Sequence, residues 1–352
     1  MTTGLRSMLL SPLTIGDVTF ANRAWISPMC QYSAGADGVP LTWHLIHLGQ
    51  FATGGSGLIF TEATAVSPEG RLSPNDTGLW TDAQADGWRP IVDFVHEQGA
   101  LIGVQLVHAG RKASTATPWK GVGYVTPTQG GWETFAPSPI SFNGLPEPEE
   151  LTITSIERII GDFVTAARRA IRCGFDVIEL HAAHGYLLHQ FLSPLSNQRT
   201  DGYGGDFQGR IRLLCEVVSA VREVWTHGRP LFVRVSATDW VDEGWTPDDT
   251  VRLARTLSSL GVDLMDCSSG GIVPAEIPVG SGYQVPFAAR VKAEAGMRTS
   301  AVGLITEPAQ AETIVRSGQA DAVMLGRAAL REPRWVNLAA RELHGEARWP
   351  SQ

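Results

Sequence analysis

Short apolar runs alternate with longer amphipathic stretches along most of this chain, and that alternation predicts the elements before any residue chemistry is considered. The apolar runs read as buried strands at residues 24–27, 57–61 (running on through 65), 101–106, 176–180, 231–236, 263–267, 299–303 and 322–326. Between them, apolar positions recur at helical spacing over residues 42–53, 84–98, 154–173, 208–224, 247–260, 287–295 and 307–317, and a last helix covers 333–343. A hairpin over residues 13–20 precedes the first strand.

The punctuation repeats. Gly174, Gly261 and Gly318 each close a helix with a residue that tolerates positive φ, and Asp176, Asp263 and Asp321 then lead into apolar strands. Thr246-Pro247-Asp248-Asp249 starts a helix with a capping hydroxyl, a first-turn proline and acids at the positive end of the dipole. Eight strand-then-helix units in succession predict an α/β protein, a (β/α)8 TIM barrel behind an N-terminal hairpin. Residues 107–151, rich in Gly, Pro and aromatics, are too long for an ordinary connection and are expected to cap the barrel mouth after the third strand. The alternative fold is a doubly wound Rossmann sheet, but no Gly-x-Gly-x-x-Gly occurs at a strand-to-helix turn. One domain over residues 1–352 is expected.

Composition narrows the function classes. Twenty-eight Lys and Arg against 36 Asp and Glu give a net charge of -8, without a basic run that could track a phosphate backbone, so nucleic acid is not an expected partner. Cys30, Cys173, Cys215 and Cys267 are scattered with no Cys-x-x-Cys, which suits a reducing cytoplasm and no disulfide framework, zinc set or iron–sulfur set. The apolar run near the N-terminus is too short for a signal peptide, and no stretch approaches a membrane span. A cytoplasmic protein without membrane partners is expected.

In a parallel barrel the chemistry gathers where strands end. Directly after the apolar run ending at Leu180 come His181, His184 and Tyr186, two imidazoles and a phenol that together can hold an oxygen and deliver a proton. A His-x-x-His pair is also half of a zinc site, with Glu179 or His189 as a further ligand; the absence of a nearby Cys makes that the minor alternative, and no metal is expected. Arg234 inside Phe-Val-Arg-Val-Ser must meet an anion or acceptor, and Gln105 inside Gly-Val-Gln-Leu-Val can both donate and accept. Both suit a flat polar heterocycle such as flavin. Gly303 after the seventh strand and Gly326-Arg327 after the eighth stand where such barrels bind phosphate.

Ser27-Pro28-Met29-Cys30-Gln31-Tyr32, Glu62-Ala63-Thr64-Ala65-Val66, His108-Ala109-Gly110-Arg111-Lys112, His181-Ala182-Ala183-His184-Gly185-Tyr186, the 197–205 run and Leu325-Gly326-Arg327 occur in this order. In that set the chain resembles the old yellow enzyme family of FMN-dependent ene-reductases over essentially its whole length. Cys30, where other classes carry threonine, makes the resemblance one to the thermophilic-like class. The resemblance implies noncovalent FMN, with Ser27, Pro28, Met29, Cys30, Ala63 and Gln105 around the ring, Arg234 beside its N1/C2 edge, and Gly303, Gly326 and Arg327 at the phosphate. It implies that His181 and His184 grip a substrate oxygen, that Tyr186 donates a proton, and that Tyr32 contacts bound ligand. The implied activity is NADPH dehydrogenase or ene-reductase: NADPH or NADH supplies hydride, and activated alkenes such as enones, enals, maleimides and nitroalkenes accept it in a ping-pong cycle. A homodimer or homotetramer is implied as well. The pattern departs from the family at Gly209, where Asn usually precedes the Arg210 position.

Other readings predict different residues. A dienoyl-CoA reductase-like flavin barrel calls for a downstream cysteine cluster and a dinucleotide domain. A cofactor-free aldolase or isomerase barrel calls for a lysine ending a strand, and Lys112, Lys120 and Lys292 are the chain's lysines.

Overall fold

The computed structural model describes residues 6–351 apart from 122 and 227; residues 1–5, 122, 227 and 352 of the expected 1–352 range lie outside the described residues. The chain opens on an antiparallel hairpin, β1 (Leu13–Ile15) and β2 (Val18–Phe20). Then come β3 (Ala24–Ile26), α1 (Thr42–Ala52), β4 (Leu58–Ala65), α2 (Asp82–Glu97) and β5 (Leu101–Val107). The capping stretch carries 3-10 turns and a two-stranded pair, β6 (Phe135–Ala136) with β7 (Glu149–Glu150). After it follow α3 (Ile153–Cys173), β8 (Val177–Ala182), α4 (Leu187–Leu192), α5 (Phe207–Val224), β9 (Leu231–Ser236), α6 (Pro247–Ser259) and β10 (Leu264–Ser268). The last elements are α7 (Val285–Ala295), β11 (Arg298–Ala301), α8 (Pro308–Arg316), β12 (Ala322–Leu325), α9 (Arg327–Arg331) and α10 (Trp335–Glu342).

Eight strands close a parallel barrel in the order β10-β11-β12-β3-β4-β5-β8-β9, so the TIM-barrel expectation holds. Helix ends follow local chemistry. Thr246 and Asp249 form the expected capping box of α6, and Gly174 ends α3 at φ 89°. The cap of α3 is Thr152 rather than a residue near 154, because its hydroxyl accepts from the Ser155 N–H. Strand β11 stops at Ala301, which leaves Gly303 in the loop instead of at a strand end. Helices α4 and α9, six and five residues long, went unpredicted because so few residues cannot display a helical period.

The barrel is filled unevenly along its axis. At its lower end Ile15 and Phe20 of the hairpin pack on Trp25, Leu58, Phe60, Phe232 and Met324, with Trp25 stacked on Phe232 at 5.8 Å. That apolar plug closes the lower opening, and the polar interior groups Gln105, Glu179, Arg234 and Asp266 stand above it.

Candidate active site

The final residues of β8 deliver His181, and a tight turn then presents His184 and Tyr186. The His181 ring lies 5.1 Å from His184 and 5.0 Å from Tyr186, both edge-on. This turn is unusual in its backbone: His184 has φ 57° and Gly185 φ 75°. A Cβ on Gly185 would lie 2.1 Å from the Gly271 carbonyl oxygen, so only glycine fits. Side chains hold every polar backbone group of the pair. Ser236 Oγ accepts from the His184 N–H and Lys112 donates to the His184 carbonyl, while His189 Nδ1 accepts from the Gly185 N–H and Gln190 donates to the Gly185 carbonyl.

Hydrogen bonds also assign the histidine protons. His181 Nδ1 accepts from the Ala183 N–H at 3.3 Å, which leaves Nε2–H to point into the mouth. His184 Nε2 lies 2.7 Å from Ser268 Oγ, whose own proton goes to Gln284 Oε1 at 3.3 Å, so His184 Nε2–H donates to Ser268 and Nδ1 is the bare nitrogen. Burial, with Arg234 nearby, pushes both imidazoles well below their usual range, so both are neutral donors. The same desolvation, with Cys30 and Tyr32 close by, pushes the Tyr186 phenol well up. Its hydroxyl makes no hydrogen bond among the described residues.

The segment after β3 forms the opposite wall. Ser27 accepts from Arg234 Nη1 at 3.1 Å, and Tyr32 sits at φ 52° with its ring edge-on to Trp119. Glu62 accepts the Gln31 N–H and pairs with the buried His44 at 2.9 Å, which fixes the strand exit bearing Pro28, Met29 and Cys30. Burial, reinforced by Asp76 and Glu62, pushes the Cys30 thiol up, which keeps it protonated. Ala63 follows a bulge in β4 and lies in register with Gln105.

Below this wall the interior is more acidic than the sequence suggested. Gln105 donates to Glu179 at 2.7 Å, and Arg234 Nε pairs with Asp266 at 3.0 Å, which also accepts from Ser300. Glu179 and Asp266 were missed as partners; the signal was there, since each interrupts an apolar strand with a carboxylate. Ser236 and Ser268 were missed because their sequence surroundings are those of ordinary strand residues, and Lys112, although it closes the 108–112 motif, was given no role.

At the far side Gly303 takes φ 120°, and a Cβ there would lie 3.0 Å from Gln284 and 3.1 Å from the Tyr283 ring. Gly326 begins α9, whose first N–H groups have no side-chain cap. Arg327 is exposed, near Tyr283, and without a hydrogen bond or ion pair among the described residues. Over the mouth the capping stretch leaves a cavity of about 310 Å³ lined by Tyr32, Leu72, Lys112, Phe142 and Tyr186 among others. A larger cavity of about 890 Å³ lies by the strand starts, around Asn22, Gly57 and Leu101, and contains none of the residues singled out above. His189, open on spacing alone as a third metal ligand, turns away from His181 and His184 toward Asp239.

A sequence model of the NADH:flavin oxidoreductase / NADH oxidase family matches residues 8–346. The NADPH dehydrogenase of Geobacillus sp. (strain WCH70) is 49% identical over 341 residues, 96% of this chain and 95% of that protein. Among solved structures, morphinone reductase superposes with a TM-score of 0.81 at 29% identity, over 99% of this chain and 93% of its own. A 2-naphthoyl-CoA reductase reaches 0.86 at 23% identity, a likeness of fold alone; this chain spans 52% of that one. The cofactor that goes with this family is FMN, with a nicotinamide as reductant. The donor set fits FMN: an uncapped helix start beside a free arginine suits its phosphate, and buried Gln105 and Arg234 offer polar groups to its ring.

Proposed function

The chain belongs to the NADH:flavin oxidoreductase / NADH oxidase family, and from that premise we propose that it reduces the C=C bond of activated alkenes with NADPH or NADH, the proton coming from Tyr186. It is an FMN-dependent oxidoreductase of the old yellow enzyme type. When bound, FMN supplies the hydride chemistry, taking hydride from the nicotinamide and passing it to the alkene. Gly303, Gly326 and Arg327 would hold its phosphate. Ser27, Pro28, Met29, Cys30, Ala63, Gln105 and Arg234 would surround its ring, the Arg234 cation facing the N1/C2 edge.

The observation that carries the reading is the trio of rings at the end of β8, two neutral imidazoles, with the His181 Nε2–H free for the mouth, and a phenol 5.0 Å from His181. A carbonyl or nitro oxygen held by the His181 Nε2–H and the neighbouring His184 imidazole gains negative charge as the alkene accepts hydride, and these contacts strengthen as it does. Tyr186, un-ionised and without a protein partner, delivers its proton to the carbon beside the activating group. Tyr32 and Phe142 confine the remainder of the substrate in the 310 Å³ cavity. NADPH oxidation measured with and without 2-cyclohexenone or N-ethylmaleimide tests the proposal; consumption that neither compound accelerates would sink it.

The proposal includes a homodimer or homotetramer. Leu41, Trp43 and Ile46 support it as large apolar side chains exposed near the start of α1. Light scattering that shows a monomer at micromolar concentration would remove this part alone.

A further inference from the structure

The buried pair His189–Asp239 takes no part in the chemistry above, yet it is bonded directly to the turn that performs it. His189 Nε2 lies 3.0 Å from Asp239 Oδ1, and both side chains are fully buried. Asp239 is otherwise saturated: its Oδ2 accepts from Ser193 Oγ at 2.6 Å and from the Trp245 N–H at 2.7 Å. Burial alone would raise this carboxyl, but His189, Ser193 and Trp245 outweigh it, so Asp239 is ionised. On the other side of the ring, Nδ1 lies 2.9 Å from the Gly185 N–H. A backbone N–H can only donate, so Nδ1 is the bare nitrogen and Nε2 carries the proton to Asp239. The tautomer is thereby locked, and the carboxylate makes Nδ1 a stronger acceptor for Gly185.

Gly185 stands between His184 and Tyr186, in the positive-φ stretch that no regular element supports. A His184 backbone at φ 57° is strained and persists only where its surroundings over-determine it. Of the four side chains that grip the pair, His189 alone is itself anchored to an ionised group on another strand-end loop, that following β9.

We propose that His189 and Asp239 are positioning residues for the proton donor: through the Gly185 N–H they fix the angle at which the turn presents Tyr186 and His184 to the substrate. This rests on the reading of Tyr186 as donor. Losing the anchor should slow alkene reduction and leave hydride uptake from the nicotinamide, which does not need Tyr186, close to unchanged. Misplacement of a reacting group by about 1 Å costs on the order of 100-fold.

Two substitutions separate the bonds. His189→Asn keeps an acceptor at the δ position for Gly185 but not the reach to Asp239. His189→Gln keeps an amide at the ε position for Asp239 but gives Gly185 nothing. In the FMN-loaded enzyme, His189→Gln should slow reoxidation by 2-cyclohexenone by about 10- to 100-fold with reduction by NADPH within about twofold, and His189→Asn, which keeps the Gly185 bond but loses the Asp239 anchor, should show a smaller slowing of the same step. Amide hydrogen exchange over residues 183–186 should quicken in His189→Gln and much less in His189→Asn, a readout independent of turnover. Equal slowing of both half-reactions, identical behaviour of the two variants, unchanged exchange in both, or failure of both to fold and retain FMN would overturn the proposal, the last by showing a purely structural pair. If Tyr186→Phe reoxidises normally while His189→Gln still loosens the turn, the donor assignment has failed and the anchoring has not.

Discussion

Gln105 Nε2 donates to Glu179 Oε1 at 2.7 Å inside the barrel, across the neighbouring strands β5 and β8. Burial and the nearby Asp266 push the Glu179 carboxyl up to about 8, against the pull of Arg234 and Gln105. Below about pH 4.5 both folded and unfolded chains are protonated at this group; above that, the folded chain keeps a proton that the unfolded chain has lost. Stability therefore falls as pH rises through this window, by at most about 1.4 kcal/mol per pH unit. Urea unfolding should show Glu179→Gln gaining on the wild type between about pH 5 and about pH 8. A difference that does not vary with pH would mean that Glu179 is ionised throughout.

Lys112 predicts the opposite slope. Burial, with Arg111 beside it, pushes its ammonium down to about 8, while its Nζ bonds the carbonyls of His184 and Gly271. Between about pH 8 and about pH 10.5 the unfolded chain holds a proton that the folded chain has released, so this residue's contribution makes stability rise with pH. Lys112→Met should abolish that rise and, by freeing two carbonyls, cost about 1–3 kcal/mol. Parallel pH curves for the variant and the wild type would refute the assignment.

Tyr186→Phe removes the proposed proton donor without altering the ring contacts with His181. In stopped flow, reoxidation by 2-cyclohexenone should slow by about 10²–10⁴-fold while reduction by NADPH changes little. Nitroalkenes, which give a stabilised anion that solvent can protonate later, should suffer less. Wild-type reoxidation by cyclohexenone would move attention to Tyr32.

At the proposed phosphate end, Arg327→Ala should weaken FMN binding to the apoprotein by about tenfold, less at high salt, because the guanidinium is exposed and screened. Gly303→Ala should weaken binding and also cost about 1–3 kcal/mol of stability, since φ 120° does not suit a Cβ that lies 3.0 Å from Gln284. Fluorescence titration of FMN decides both; unaltered affinity in Arg327→Ala would place the phosphate elsewhere.

The strand-end residues were legible because a barrel converts order along the chain into convergence at one mouth. Once eight apolar runs with intervening helices were counted, His181, Arg234 and Gln105 had to point toward a common centre. Helix boundaries drifted where caps compete, as at Thr152, and where helices are too short to show a period, as in α4.

The sequence by itself determined the barrel, the β8 cluster and the glycine positions, because each depends on periodicity, on residues adjacent in the chain or on a missing Cβ. Only the tertiary structure decided the partners. Glu179 faces Gln105 across 74 positions, Asp266 meets Arg234 from the next strand, and Asp239 reaches His189 from 50 positions away. Such pairs are set by strand register and by which loops meet above the barrel, and the energy that selects them is the cost of leaving a buried charge or N–H unpaired. That cost acts between residues whose neighbourhood exists only after the barrel has closed.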